Sequence, residues 1–345
     1  MSRNRITVVL SQAPGKHPAK RSLEESIAAA FILEPSLEVS IIPNLYDLDP
    51  QHTGRLFLES VRGDMVVLSW LYPRAAFWLL DRIGIRGHFG ETLLKSPNED
   101  ADEEETEAAQ REKKGVGPSG EIPDRHIYTL DLRDAKSADA YLKEVRRIAE
   151  ECEQRRQEKA KANPVMVQLG LLTPKLEPAT DALPAAFSPD ALLAPPNRRW
   201  YPVIDYSRCT NCMECLDFCL FGVYGLDSWD KILVENQDNC KKGCPACSRV
   251  CPEQAIMFPE YKSPAIAGAD TGAVGGLKID LTRLFGGESQ DAVSQAVAER
   301  DAELVKDGRN AVGTAVGLPK RQTTLAEKPK DDLDQLMDDL DALGL

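Results

Sequence analysis

The sequence predicts an N-terminal α/β domain with a parallel sheet, joined through a proline-rich linker to a smaller cysteine-rich module and then to an acidic, disordered C-terminal tail. Three observations carry this reading. Short β-branched runs alternate with helical apolar patterns over residues 1–162, and seven prolines punctuate residues 163–198. Eight of the nine cysteines fall between Cys209 and Cys251. Strands alternating with helices at this spacing imply parallel pairing with right-handed crossovers.

The first strand is expected in RITVVLS, Arg5 to Ser11. A helix follows from Lys20 to Leu33, with Leu23, Ile27, Ala30 and Phe31 on one face. Between them, Lys16, His17, Lys20 and Arg21 could form an anion-binding loop, but the stretch lacks P-loop spacing and there is no G-x-G-x-x-G. A solvated basic loop is the favoured reading. An extended run at Glu38 to Ile42, a helix near Gly54 to Val61 and a strand at Asp64 to Trp70 continue the alternation.

Pro73 opens another helix, in which Phe77, Trp78, Leu79, Leu80 and Ile83 leave little polar face. Such a helix is buried on most sides or docks another protein, and core packing is the expectation. A fourth strand is expected at His126 to Leu132, and a helix from Ser137 to about Lys159 places Tyr141, Val145, Ile148 and Cys152 on one stripe. Cys152 therefore reads as a buried hydrophobe. His52, His88 and His126 lack metal-ligand spacing and are expected to be structural or exposed. Seven of the ten residues from Asn98 to Glu107 are acidic, so residues 97–122 read as a flexible excursion.

The nine-cysteine count concentrates the chemistry in CTNCMECLDFC and CKKGCPACSRVCP. Cys209, Cys212 and Cys215 are separated by two residues each, with Cys219 three residues further on; Cys240, Cys244, Cys247 and Cys251 form the second run. Two-residue gaps let one tight loop converge several thiolates on a small inorganic core. Paired zinc sites also use such gaps but usually place a dozen or more residues between cysteine pairs. A disulfide framework would need an oxidising compartment.

On these residues the segment 199–262 resembles the bacterial-type ferredoxins with two 4Fe–4S clusters. The resemblance implies an α+β ferredoxin-like domain in which the last cysteine of each run serves the other cluster. Carried over, Cys209, Cys212, Cys215 and Cys251 would hold cluster I, and Cys240, Cys244, Cys247 and Cys219 cluster II. Two departures stand out: three residues, not two, separate Cys240 from Cys244, and Leu220 rather than proline follows Cys219. The wider loop leaves cluster II open between a cubane and a three-iron or labile cluster. Val203, Ile204, Phe218, Val223, Ile232, Val234, Ile256 and Phe258 are expected to wall the clusters from water, with Lys241 and Lys242 as nearby cations.

Residues 263–306 read as a Gly- and Ala-rich connector followed by a helix from about Glu288 to Val305, and residues 307–345 as a mostly disordered tail. At its end, DDLDQLMDDLDALGL sets Leu333, Leu336, Met337, Leu340 and Leu343 along one stripe against six aspartates. Such a short helix is marginal alone, which makes residues 331–345 a candidate docking peptide.

The net charge of −13 argues against binding nucleic acid through phosphate contacts. No apolar run reaches the ~20 residues of a membrane span, and the N-terminal apolar segment reads as a strand rather than a signal sequence, so a cytoplasmic location is expected. The functional expectation is an electron-transfer protein or redox-complex subunit with two 4Fe–4S clusters, whose partners are redox proteins, a flavoprotein among the candidates. The competing reading is an oxidoreductase whose α/β domain binds a nucleotide, flavin or small substrate and uses the clusters as an internal wire.

Overall fold

A computed structural model describes residues 5–15, 17–94, 115–118, 120–162, 197–269 and 292–316. The expected 163–198 linker therefore lies outside the described residues apart from its last two. So do most of the acidic excursion, Lys16 and the 331–345 peptide.

Five strands form one sheet: β1 (Ile6–Ser11), β2 (Leu37–Ile42), β3 (Met65–Ser69), β4 (His88–Gly90) and β5 (His126–Asp131). Their order is β2-β1-β3-β5-β4 and every pairing is parallel. The two-residue strand period sends Val8, Leu10, Val66, Leu68, Tyr128 and Leu130 to one face, where α1 (Pro18–Ile32) and α4 (Ala138–Ala162) cover them. Val9, Met65, Val67 and Ile127 point to the other face, under α2 (Thr53–Ser60) and α3 (Pro73–Arg82). Burial on both faces is why these strands read as continuous apolar runs. The expected fourth strand is the fifth in order, because β4 escapes sequence reading: it has three residues, and Phe89 is exposed. Cys152 is buried as expected, and His52 caps α2 by accepting the Gly54 N–H at 2.9 Å.

The cysteine-rich module docks against α3. It consists of β6 (Val203–Ile204), α5 (Glu214–Phe218), the hairpin β7 (Tyr224–Leu226) and β8 (Ile232–Val234), α6 (Ala246–Val250), β9 (Ile256–Met257) and α7 (Pro264–Ala267). The span between the two cysteine runs is this hairpin. β6 and β9 pair antiparallel, and their alternation divides the chain's cores. Val203 and Met257 join the core of the α/β domain, while Ile204 and Ile256 join the core around the cysteines. Val203 is thus no wall of the cysteine site. The apolar character of α3 follows, since it is covered by the sheet on one side and by Tyr201, Val203 and Met257 on the other.

Polar contacts reinforce that interface. Arg74 of α3 pairs with Asp205 at 3.5 Å, with 7% and 1% of their side chains exposed. Arg82 donates to the Val234 carbonyl, and Asn44 donates to Glu260 at 2.8 Å.

Two expectations of disorder are corrected at their ends. Residues 115–118, in the C-terminal part of the acidic excursion, lie on the module: Val116 N–H donates to Cys209 O at 2.8 Å and Gly117 N–H to Tyr206 O at 2.9 Å. Likewise residues 307–316, placed in the tail by sequence, fold back after α8 (Ala292–Lys306), with Arg309 donating to Leu220 O at 2.9 Å. Helix α8 packs on α6 through Val293, Ala296 and Val297. Among the described residues, no helix is long and apolar enough to cross a membrane.

Candidate iron–sulfur site

The first cysteine loop is built from Asp205, which directly follows β6. Its Oδ1 accepts the Ser207 N–H at 2.9 Å and the Ser207 hydroxyl at 2.5 Å, and its carbonyl accepts the Cys209 N–H at 2.9 Å. Asn211 and Met213 have φ of 59° and 64°, the left-handed region that coils the loop between successive cysteines and that asparagine tolerates well. The Asn211 side chain also clamps the β7–β8 hairpin, accepting from Ile232 N–H and donating to Asp230 O, each at 2.9 Å.

Helix α5 then carries Cys215 and ends at Cys219, whose N–H donates to Cys215 O at 3.1 Å. The second run repeats the device: α6 carries Cys247 and ends at Cys251, whose N–H donates to Cys247 O at 3.2 Å. Because each short helix spans from one cavity to the other, its terminal cysteine leaves its own run. Cys209, Cys212, Cys215 and Cys251 line one cavity, while Cys219, Cys240, Cys244 and Cys247 line a second.

Among the described residues, no three Cys, His, Asp or Glu side chains converge closely enough for a single metal ion. Ile204, Ile232 and Ile256 wall the first cavity and Phe218 and Val223 the second, all buried, while Phe258 and the partly buried Val234 pack in the surrounding apolar core rather than on a cavity wall.

Burial pushes the thiols up from their ordinary range: Cys244 to about 11, Cys215 and Cys240 further, Cys247 well above. Backbone N–H groups oppose this. Those of Phe221 and Val223 reach Cys219, and those of Ala255, Glu253 and Ile256 reach Cys251. Donors of this kind favour thiolate and ligated sulfur over thiol. The buried Tyr224 hydroxyl donates to Cys247 Sγ at 3.0 Å. Cys212 is the exposed member of the eight.

One residue of this site is absent from the sequence reading. Arg300, 1% exposed, lines the cavity of Cys219, Cys240, Cys244 and Cys247, with its guanidinium 4.6 Å from the Phe218 ring centroid. Its position was encoded: Val293, Val297, Arg300 and Leu304 recur at helical spacing, so Arg300 falls on the apolar stripe. Lys241 also lines this cavity and pairs with Asp307 at 2.6 Å.

The basic loop after β1 gives a different result. Arg21 donates to Ala13 O at 3.2 Å, Gly15 O at 3.1 Å and Glu24 at 2.8 Å, and buried Glu24 also accepts from Ala13 N–H and Trp70 Nε1. Lys20 lies over the Trp70 ring at 4.3 Å. These side chains brace the carboxyl ends of β1 and β3, the point where the strand order reverses and where doubly wound folds place ligands.

No protein-family model matches the chain, and no solved structure matches it. An uncharacterized ferredoxin of Methanocaldococcus jannaschii is 47% identical over 66 residues, which is 19% of this chain and 44% of that protein. Pyruvate synthase subunit PorD of Methanothermobacter marburgensis is 34% identical over 65 residues, 19% of this chain and 73% of the subunit. The chain thus spans less than half of the first relative and nearly three quarters of the second. Through its cysteine-rich segment, the chain belongs to the ferredoxins.

Proposed function

We propose that this protein is an electron-transfer protein or subunit that relays single electrons between redox partners through two 4Fe–4S clusters. Cys209, Cys212, Cys215 and Cys251 would hold cluster I, and Cys219, Cys240, Cys244 and Cys247 cluster II. The observation that carries the reading is the exchange of Cys219 and Cys251 between the runs, so that each cavity is lined by four thiols. When bound, the clusters supply reversible one-electron storage.

The chain's own residues do the rest. Asp205 and Asn211 shape the first loop, the apolar walls exclude water, and backbone N–H groups stabilise sulfur charge. Cys212, exposed beside the β7–β8 hairpin, marks the face of cluster I as the exchange surface. The α/β domain acts as a rigid platform for the module, held through α3. Its partners are proposed to be redox enzymes, of the kind in which the second relative is named a subunit. Residues 331–345 are proposed as a docking peptide; unchanged copurification of partners after their deletion would refute that part.

The test is anaerobic purification followed by metal, sulfide and cofactor analysis. About eight iron and eight sulfide per chain are expected. Release of a flavin or nucleotide on denaturation would instead favour an oxidoreductase that uses the clusters internally.

A further inference from the structure

We propose that Arg300 is a fixed counter-charge for cluster II, a positioning residue that holds the reduction potential of that cluster above the potential of cluster I. The inference rests on the two-cluster reading above and concerns an asymmetry between the two cavities. Arg300 and Lys241 are the basic residues lining the cavity of Cys219, Cys240, Cys244 and Cys247. The charged residues lining the cavity of Cys209, Cys212, Cys215 and Cys251 are Glu214 and Glu253.

Reduction adds one electron from an external one-electron donor, with no bond formed or broken and no proton required. It makes the cluster one unit more negative. A cation beside the sulfurs stabilises that added charge, most strongly where water is excluded. Arg300 meets both conditions: it is buried, and a guanidinium stays charged at any pH a protein survives.

The geometry holds the charge in place. Arg300 Nη1 donates to Val316 O at 2.9 Å and Nη2 to Gly313 O at 2.6 Å, while Nε donates to Asp301 at 3.0 Å. Asp301 is the partial counterweight, and it accepts the Gly313 N–H at 2.6 Å through its other oxygen. The remaining acidic groups of α8 near Cys244 are Glu299, paired with Arg249, and Glu303, paired with Lys306. Carbonyls at 313 and 316, rather than a carboxylate, take two of its donor groups, so its charge is only partly cancelled.

The experiment is an anaerobic potentiometric titration of the full iron-loaded chain, followed by electron paramagnetic resonance, on the wild type and on R300M, R300K and D301N. Two waves are expected in the wild type. R300M should move the more positive wave to lower potential and leave the other in place, R300K should restore most of the shift, and D301N should move the same wave upward. An R300M protein with full iron whose upper wave is unmoved, or whose lower wave moves as much, would overturn the proposal. If R300M loses iron, D301N decides: an upward shift supports the counter-charge and an unmoved wave overturns it. A wild-type chain that binds no iron and sulfide would sink the two-cluster reading itself, and iron analysis separates that failure from a failed Arg300 shift.

Discussion

Tyr46 and Tyr201 bond reciprocally across the interface between the α/β domain and the cysteine module. The Tyr46 hydroxyl donates to Tyr201 O at 2.5 Å and accepts the Tyr201 N–H at 2.7 Å, while the Tyr201 hydroxyl donates to Tyr46 O at 2.8 Å. Their ring centroids are 4.4 Å apart, and both residues are fully or nearly fully buried. Phenylalanine at position 46 would leave a buried N–H and a buried carbonyl without partners. Y46F is therefore expected to cost about 2–3 kcal/mol, more than Y201F, which orphans one carbonyl. Anaerobic denaturant unfolding of both variants checks the order.

The Arg74–Asp205 pair gives a second test of the same interface. Arg208 also pairs with Asp205 at 3.5 Å, so removing Arg74 takes away one of two cationic partners of a buried carboxylate and is expected to cost less than the about 3–5 kcal/mol of leaving a buried charge fully uncompensated. Asp205 also shapes the loop leading to Cys209. R74M should thus lower the denaturation midpoint and accelerate iron loss from cluster I more than from cluster II, as followed by absorbance in the presence of a chelator. Equal loss from both clusters would count against this coupling.

Gly115 anchors the end of the acidic excursion. A Cβ there would come within 2.2 Å of the Ser207 carbonyl oxygen, a backbone atom that cannot swing aside. G115A should release residues 115–118 from the cysteine module. Hydrogen exchange at Val116 and Gly117 should then rise by at least about tenfold, the change produced by ~1.4 kcal/mol of lost protection.

His126 provides a pH test away from the cysteines. Burial, and then the charge of Arg155 at 2.6 Å from Nδ1, lower its pKa from the ordinary 6.5, while Asp64 opposes them. The folded protein therefore binds fewer protons than the unfolded chain. Stability is retained above about pH 6.5 and falls as pH drops through the unfolded value. H126Q should flatten the slope of unfolding free energy between pH 7 and 5.

Much of this organisation was legible in the chain. The β-branched runs of β1, β3 and β5 mark a doubly covered sheet, and cysteine spacing marks the segment that carries the thiols, while their division into two groups of four comes only from the ferredoxin resemblance. The rest depended on tertiary context. β4 is too short to show a period, and α3 reads as buried without revealing that a second module covers it. Residues 115–118 owe their order to hydrogen bonds with Tyr206 and Cys209, nearly a hundred residues away, so no local pattern announces them. Arg300 falls on the apolar stripe of α8, but only the packing of that stripe against the cysteine module turns the position towards a cavity.

The central claim is tested most directly by iron, zinc and acid-labile sulfide analysis of the full chain purified without oxygen, combined with electron paramagnetic resonance after reduction. About eight iron and eight sulfide per chain, with signals from two interacting reduced clusters, are the expected result. Stoichiometric zinc without sulfide would contradict it.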